Sequence, residues 1–356
     1  MALSLESPPE SVCILRLSAI GDTCHALAVV RTLQVVWPNT RLTWVIGKTE
    51  SQLLGDVPGV EFVVFDKSRG WSAHGDLRHA LRGRKFDVLL AMHASLRANV
   101  ASRMISARRR IGFDRKRAKD YQWLFTREQI PARPRQHALD AMFEFVEYLG
   151  IDSRELRWDI PLSEADHAFA AEHSRGEEPL LVISPCSSQR ARNFRNWSAE
   201  NYAAVCDHFA QRWGGRVILT GGPTELERTY GADIARHATG EVLDLIGKTS
   251  LKELLAILDR ASVLVCPDSG PAHMATAVNT PVVGLYATSN PDRTGPFLSR
   301  EYVVNHYPDA VRAEFKKSVD EIPWGGRVRN PAAMDRITQE EVVQMLDRVL
   351  TESVRA

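Results

Sequence analysis

The chain has few cysteines, and none of them are closely paired. Five cysteines occur in 356 residues without a C-x-x-C motif, and three of them lie in or beside apolar runs typical of strands. This distribution lacks the sequence signature of a disulfide framework or a structural zinc site. We therefore predict buried thiols in a reducing compartment, at Cys13, Cys24, Cys186, Cys206 and Cys266.

Long apolar segments are also missing. No run approaches the roughly 20 apolar residues that span a bilayer. The N-terminus, MALSLESPPESV, has no basic region followed by an apolar core. We therefore expect a soluble, cytoplasmic protein.

Several ligand-binding motifs are absent. The sequence contains neither G-x-G-x-x-G nor G-x-x-x-x-G-K-[ST], which mark dinucleotide sites and P-loops. It also lacks a D-x-D pair and a cluster of His and Cys ligands. We therefore predict no cofactor and no bound metal, so that cationic side chains and helix N-termini would bind any phosphate groups.

The net charge is small, but basic residues are concentrated in one segment. Lys and Arg total 45 against 44 Asp and Glu, a net charge of +1, which argues against general polyanion binding. Residues 97–136 nevertheless hold twelve basic and three acidic side chains, a local net charge of +9. This segment can be a solvated basic face, a nucleic-acid patch or a surface for an anionic ligand.

Short β-branched runs alternate with amphipathic stretches along most of the chain. This alternation is typical of βαβ units and a parallel sheet. It predicts an α/β protein with two doubly wound domains, residues 1–160 and 178–337. Thr338, followed three residues later by Glu341, predicts a capping box at the start of a last helix, which we expect to pack back on the first domain over 338–356.

The stretch LRLSAIGDTCHAL, residues 15–27, leads from a predicted strand into a helix through Gly21 and Asp22. Ligands of open α/β sheets bind at such carboxyl ends of strands. Asp22 can cap the helix through its carboxylate. Alternatively, Gly21 permits a tight turn and Asp22 acts as a general base that an Arg nearby keeps ionised.

Two corners of the second domain have the composition of phosphate sites. CPDSGPAH, residues 266–273, places Asp268 and Ser269 at a strand end just before a helix start, where free backbone N–H groups bind anions. The loop that begins with Ser187 and Ser188 ends with Arg195 before a second helix, and Arg offers forked donors to phosphate. Ordinary helix caps and a solvated loop are the alternatives.

A further corner, LTGGPTELER, lies at residues 219–228. Glu225 or Glu227 can accept hydrogen bonds there from the hydroxyl groups of a ribose.

Together these segments resemble the ADP-heptose:lipopolysaccharide heptosyltransferases, and among them heptosyltransferase I most. The resemblance extends from ILRLSAIGD through ARRRIGFDRKRAKD and RQHALDAMFEFVEYLGI to GKTSLKELLAIL and PDSGPAHMATAVNTPVVGLYATSNP. These enzymes belong to glycosyltransferase family 9. The resemblance implies the GT-B fold, with two Rossmann-like domains facing a central cleft, and inverting transfer of a heptose.

The resemblance also assigns roles to individual residues. It implies that Asp22 is the catalytic base and that Arg195, where the family usually has Lys, contacts the diphosphate. Lys248 and Thr249 are expected near adenine. The complete set expected to bind the donor is Ser187, Ser188, Arg195, Glu225, Lys248, Thr249, Asp268, Ser269, Gly270 and His273.

The acceptor implied by the resemblance is lipid A that carries 3-deoxy-octulosonate (Kdo), whose carboxylates and phosphates suit the basic segment. We accordingly expect a monomer at the cytoplasmic face of the inner membrane, attracted to anionic lipids, with no nucleic-acid partner. The alternatives are a transferase or epimerase that uses another nucleotide sugar, such as a UDP sugar, and a non-catalytic protein that binds anionic membranes or nucleic acid. The predicted acceptor contacts are Gly21, Arg109, Arg110, Arg115, Lys116, Arg117 and His137.

Overall fold

The computed structural model describes residues 7–174, 176, 178–187 and 193–355. Its chain divides into two compact units, Met1–Pro161 and Leu162–Ala356. The first unit ends one residue beyond the predicted boundary. The second begins well before the predicted residue 178, and the reason lies in its first helix, described below.

The first unit alternates strands and helices, as the sequence pattern predicts. Its strands are β1 (Ser11–Leu15), β2 (Arg41–Gly47), β3 (Val60–Phe65), β4 (Phe86–Leu90), β5 (Ala107–Gly112) and β6 (Glu128–Gln129). Its helices are α1 (Ile20–Val36), α2 (Lys48–Leu54), α3 (Ser72–Ala80), α4 (Leu96–Arg103) and α5 (Ala138–Glu147). Short 3-10 turns lie at Lys67–Arg69 and Gln122–Leu124.

The strands of the first unit form one parallel sheet in the order β3-β2-β1-β4-β5-β6. The order reverses between β1 and β4, which are direct neighbours: Val12 pairs with Val88 and Ile14 with Leu90. In a doubly wound sheet, the carboxyl ends of the two strands at such a switch point open onto the ligand site. Residues that follow β1 and β4 are therefore the first candidates for function.

The second unit repeats this pattern. Its strands are β7 (Leu180–Ile183), β8 (Arg216–Leu219), β9 (Val242–Asp244), β10 (Val263–Pro267), β11 (Val282–Tyr286) and β12 (Val303–Asn305). Its helices are α6 (Glu164–His173), α7 (Ala199–Trp213), α8 (Glu225–His237), α9 (Leu251–Arg260), α10 (Gly270–Ala277), α11 (Pro291–Thr294), α12 (Tyr307–Phe315) and α13 (Gln339–Arg355), with 3-10 turns at Arg300–Tyr302, Val319–Glu321 and Pro331–Arg336.

The second sheet is also parallel, in the order β12-β11-β10-β7-β8-β9. Its switch point lies between β7 and β10, where Leu181 pairs with Val263 and Ile183 with Val265. Both units are thus Rossmann-like and doubly wound, which confirms the predicted α/β fold class.

The two terminal helices of the second unit extend it beyond the predicted limits. Helix α6 packs against α9, so the residues before 178 belong to the second unit. The last helix does not follow the prediction that it packs on the first domain. Its apolar face lies in the hydrophobic core of the second unit, beside α7 and β11, because Val342, Leu346, Val349 and Leu350 are almost fully buried there.

The five thiols are free and buried, as predicted. Burial raises the pKa of the Cys24 thiol to about 12, and likewise that of Cys266. Within the described ranges, no helix combines the length and the hydropathy that a membrane span requires.

Candidate functional site

Asp22 lies in the first turn of α1, just beyond the carboxyl end of β1. The N-cap residue of α1 is Ala19, and no side chain caps the helix from that position. The Asp22 carboxylate forms an ion pair with the Arg16 guanidinium, and 39% of its side chain is exposed. Asp22 is therefore not the N-cap residue, and a ligand at this edge of the sheet can reach its carboxylate.

Two hydrogen bonds position Arg16, one from its side chain and one to its backbone. Its side chain is largely buried and donates from Nη1 to the Met92 carbonyl at 2.7 Å. Its own carbonyl accepts a hydrogen bond from Trp44 Nε1 at 3.1 Å. A guanidinium that is fixed in this way directs one side of its fork at Asp22 and favours the ionised carboxylate.

His93 follows β4 and completes the group at the switch point. Its Nδ1 accepts a hydrogen bond from the Leu17 backbone N–H at 3.2 Å. Burial chiefly, together with the charges of Arg16 and Arg97 and against the opposing charge of Asp22, lowers the pKa of His93 to about 3. His93 is therefore neutral at pH 7. His93 was not among the residues predicted from the sequence, although its position directly after a strand could have indicated it.

The loop after β5 is fastened to the loop after β4. Gln122 Nε2 donates to the Ala91 carbonyl at 2.9 Å, and Asp120 Oδ2 accepts from the Leu96 N–H at 2.8 Å. Two exposed cations, Arg97 and Lys119, are thereby brought to the carboxyl edge of the sheet.

Three of the predicted acceptor contacts are engaged within the first unit. Arg109 Nε lies 3.0 Å from Glu128 Oε1. Arg110 is buried, and its guanidinium donates to three backbone carbonyls. Arg117 Nη2 lies 2.6 Å from Glu144 Oε2. These guanidinium groups have internal partners and offer less charge to a ligand than their number suggests.

The remaining predicted acceptor residues differ in exposure. Arg115 and Lys116 are exposed, and the Arg115 guanidinium stands 5.7 Å from the centre of the Trp123 ring. Gly21 is buried in α1. His137 is buried as the N-cap of α5, where its Nδ1 accepts from a backbone N–H at 3.1 Å. Only the first two present charge to the solvent.

In the second unit, the loop after β7 is organised by side-chain amides. The Ser187 N–H donates to Asn196 Oδ1 at 3.0 Å. The Ser187 hydroxyl accepts from Asn193 Nδ2 at 2.6 Å. Ser188, which was predicted to bind the donor, lies outside the described residues. Ser187 itself is buried at the start of this loop.

Arg195 and Asp268 meet across the second switch point. Arg195 Nη1 lies 2.6 Å from the Asp268 carbonyl and 3.1 Å from Asp268 Oδ2. Its Nε donates to Asn193 Oδ1 at 2.8 Å. Both charged side chains are buried, at 11% and 9% exposure. The structure thus joins two residues that the sequence assigned to separate corners.

Helix α10 starts directly after this ion pair. Its N-cap is Ser269, whose side chain makes no capping bond. Gly270 is the first helical residue, and His273 is buried one turn further on. The backbone N–H groups at this helix start are not capped by the side chain of Ser269, and such groups favour an anion.

The loops after β8 and β9 lie side by side. The Gly247 N–H donates to the Gly221 carbonyl at 2.9 Å, which brings Lys248 next to the start of α8. Glu227 closes the first turn of that helix by accepting from the Gly222 N–H at 2.8 Å. Glu225 is exposed at the first helical position, so it is the better candidate for a ribose contact.

Lys248 and Thr249 lie together between β9 and α9. Lys248 is exposed, and its Nζ donates to the Asp244 carbonyl at 2.6 Å. Thr249 is half-buried beside it. The aliphatic part of Lys248 and the methyl group of Thr249 can contact a flat ring, as the adenine prediction requires.

Over the described ranges, no three His, Cys, Asp or Glu side chains converge in a way that could hold a metal ion.

Comparison with known proteins identifies the family of the chain. Residues 74–322 match the model of glycosyltransferase family 9 (heptosyltransferase). The lipopolysaccharide core heptosyltransferase OpsX of Haemophilus influenzae is 38% identical over 341 residues, which cover 96% of this chain and 97% of that protein. The lipopolysaccharide heptosyltransferase 1 of Escherichia coli K12 is 22% identical over 82% of this chain and 92% of its own length.

Solved structures share the fold. A glycosyl transferase of family 9 from Veillonella parvula superposes with a TM-score of 0.78 at 22% identity, covering 99% of both chains. The E. coli heptosyltransferase WaaC, solved with ADP, gives a TM-score of 0.70 at 19% identity, covering 95% of this chain and 99% of its own. From the family match and the identity along nearly its whole length, the chain belongs to glycosyltransferase family 9, the heptosyltransferases.

Proposed function

We propose that this glycosyltransferase moves a heptose from ADP-heptose to the Kdo-bearing inner core of lipopolysaccharide, with inversion at the anomeric carbon. One observation carries the proposal: the Asp22 carboxylate, paired with the buried Arg16, is accessible at the switch point of the first sheet. The H. influenzae relative, a lipopolysaccharide core heptosyltransferase, supports a lipopolysaccharide core acceptor. The ADP in the E. coli WaaC structure supports an ADP-linked donor.

The proposed reaction is a single displacement. Asp22 takes the proton of an acceptor hydroxyl, whose oxygen then forms the new bond to the anomeric carbon. The bond from that carbon to the diphosphate oxygen breaks, and its electron pair leaves with ADP. Arg16 keeps Asp22 ionised before the reaction, and neutral His93 does not compete for the ion pair.

The donor is assigned to the second unit. Backbone N–H groups at the start of α10 and the loop that begins at Ser187 suit a diphosphate. The adjacent loops at Gly221 and Gly247 suit a nucleoside, with Glu225 near the ribose hydroxyl groups and Lys248 near the base. In this proposal protein groups alone bind the phosphates, and no metal or cofactor takes part.

The acceptor is assigned to the first unit. Exposed cations at the carboxyl edge of its sheet attract the carboxylates and phosphates of the inner core. They are Arg97, Arg115, Lys116 and Lys119. The same cations support peripheral association with the anionic cytoplasmic face of the inner membrane. We propose that the protein acts there as a monomer.

A transfer assay tests the function. Purified protein is incubated with ADP-heptose and lipopolysaccharide lacking its heptoses, and the product linkage is read by NMR. We expect a new heptose on the inner core with inverted anomeric configuration. Retention of configuration, or transfer only from a UDP sugar, would contradict the proposal.

Vesicle binding tests the membrane proposal separately. Co-sedimentation with vesicles rich in phosphatidylglycerol is compared with co-sedimentation with phosphatidylcholine vesicles. We expect salt-sensitive binding to the anionic vesicles alone. Equal binding to both would remove the electrostatic explanation.

A further inference from the structure

The ion pair between Arg195 and Asp268 leaves the proposed diphosphate site short of positive charge. Arg195 is neutralised by a buried carboxylate 3.1 Å away, and its Nε is occupied by Asn193. A diphosphate carries a negative charge on each phosphate group. Helix α10 offers partial charge only, so a second source of positive charge is needed at this edge of the sheet.

The segment before the Pro331–Arg336 turn lies at the same edge, beside β11. The Val328 N–H donates to the Thr288 carbonyl at 3.0 Å, and Tyr307 Oη donates to the Gly326 carbonyl at 2.9 Å. These two bonds fix the backbone on both sides of Arg327. Strand β11 adjoins β10, which ends next to Asp268.

Arg327 and Arg293 are half-buried at this edge. A Cβ added at Gly325 would stand 3.5 Å from Arg293 Nε, so the Arg293 side chain lies against the segment that carries Arg327. Burial lowers the pKa of Arg327, and the charges of Arg195 and Arg293 lower it further, while Asp268 opposes them. These guanidinium groups are therefore electrostatic neighbours.

Neither Arg293 nor Arg327 forms an ion pair with a carboxylate in the part of the chain that the structure describes. Half-buried cations that repel one another are costly unless an anion joins them. Arg293 lies on α11, and the two residues that precede this helix hold buried donors without a hydrogen-bond partner, Ser289 Oγ and Asn290 Nδ2; each residue is only 4% exposed. Arg293 and Arg327 thus add positive charge that no carboxylate among the described residues neutralises, and hydrogen-bond donors without a partner lie beside them.

We propose that Arg293 and Arg327 bind the diphosphate of the nucleotide sugar, while Arg195 chiefly holds Asp268 in place. The inference rests on the proposed function and specifies its donor site. When the bond between the anomeric carbon and oxygen breaks, its electron pair stays on the terminal phosphate of the departing nucleoside diphosphate. Arg293 and Arg327 stabilise the charge that develops there.

Calorimetric titration of the full chain tests the proposal. We expect Arg327→Gln and Arg293→Gln each to weaken ADP binding about tenfold, the loss typical of one charge-assisted hydrogen bond. Adenosine, which has no phosphate, should bind all variants alike. Arg327→Lys keeps the charge and should recover part of the affinity. Arg312→Gln, a change at an exposed arginine on α12, should match the wild type.

The outcomes separate this inference from the proposed function. The inference would be overturned if both glutamine variants and their double variant were folded by circular dichroism and bound ADP as tightly as the wild type. The proposed heptosyl transfer would then remain intact. If the wild type bound UDP but not ADP, and both variants bound UDP more weakly, the proposed donor would be overturned and the diphosphate site supported. A wild-type protein that binds no nucleoside diphosphate would overturn both.

Discussion

Arg195 Nη1 lies 3.1 Å from Asp268 Oδ2, and this buried ion pair ties the loop after β7 to the loop after β10. The two loops flank the switch point of the second sheet, so the pair determines the spacing of the proposed donor site. Its energetic role can be measured apart from catalysis.

Replacing Asp268 by Asn should destabilise the protein. The substitution leaves Arg195 buried without its countercharge, which typically costs about 3 kcal/mol. Urea unfolding measures the loss. In a double-mutant cycle, the variant that also carries Arg195→Gln should recover a large part of the lost stability, since no charge then remains unpaired. Asp233→Asn, which breaks the more exposed pair with Arg236, should cost less than about 1 kcal/mol. Equal losses in both variants would contradict the buried-pair account.

Replacing Asp22 by Asn should abolish most of the transfer activity. The amide keeps the shape of the side chain but cannot accept the proton, and general bases typically contribute about 100- to 10,000-fold. Steady-state kinetics with ADP-heptose give kcat. Asp76→Asn, at another exposed carboxylate of the first unit, should retain wild-type turnover. ADP binding should survive in both variants. Near-normal turnover of Asp22→Asn would end its assignment as the base.

Acid should weaken the first unit through His93. Its pKa is about 3 in the folded protein and near the ordinary value of 6.5 when unfolded. The unfolded chain therefore binds the proton more readily between these limits, and the stabilisation present above about pH 6.5 is lost as the pH falls toward 3. Urea unfolding at neutral and acidic pH should show a smaller loss in His93→Gln than in the wild type. His79→Gln, at an exposed histidine, should behave like the wild type.

Charge reversal at the edge of the first sheet should weaken acceptor binding. Arg97→Glu and Lys119→Glu place negative charge where the inner core is proposed to bind, so KM for the acceptor should rise while kcat changes little. The effect should diminish with added salt. Arg41→Glu, at the exposed amino end of β2, is the matched control and should leave KM unchanged. An equal rise in all three variants would indicate a nonspecific charge effect.

Excess EDTA should leave the transfer rate unchanged. The proposed donor site binds phosphate through Arg293, Arg327 and helix N–H groups, and requires no divalent ion. Initial rates with and without EDTA, each repeated with added Mg²⁺, measure this directly. A strict requirement for a divalent ion would contradict the proposal.

The alternation of strands and helices was well predicted because burial on both faces leaves continuous apolar runs. Strand β10, Val263–Pro267, is such a run, and all five of its residues are buried. The predicted capping box at Thr338 and Glu341 is present.

Elements without such signals were missed. Helix α1 begins at Ile20, and its N-cap is Ala19, a residue type that gives no capping signal in the sequence. Strand β5, ARRRIG, lacks the apolar pattern of a buried strand, and Glu128 and a backbone carbonyl supply partners for its arginines. Glu128 lies 19 residues from Arg109 along the chain, and Asp268 lies 73 residues from Arg195. The sequence could predict the strand-to-helix loops, but it could not predict the contacts between these loops.

The burial of α13 has a consequence for how the protein is made. Val342, Leu346 and Val349 fill the core of the second unit, whereas the first unit is complete at Pro161. During synthesis the first unit can fold while the ribosome is still translating the second. The second unit can complete its core only after α13 has left the exit tunnel, so part of its apolar surface stays exposed until then.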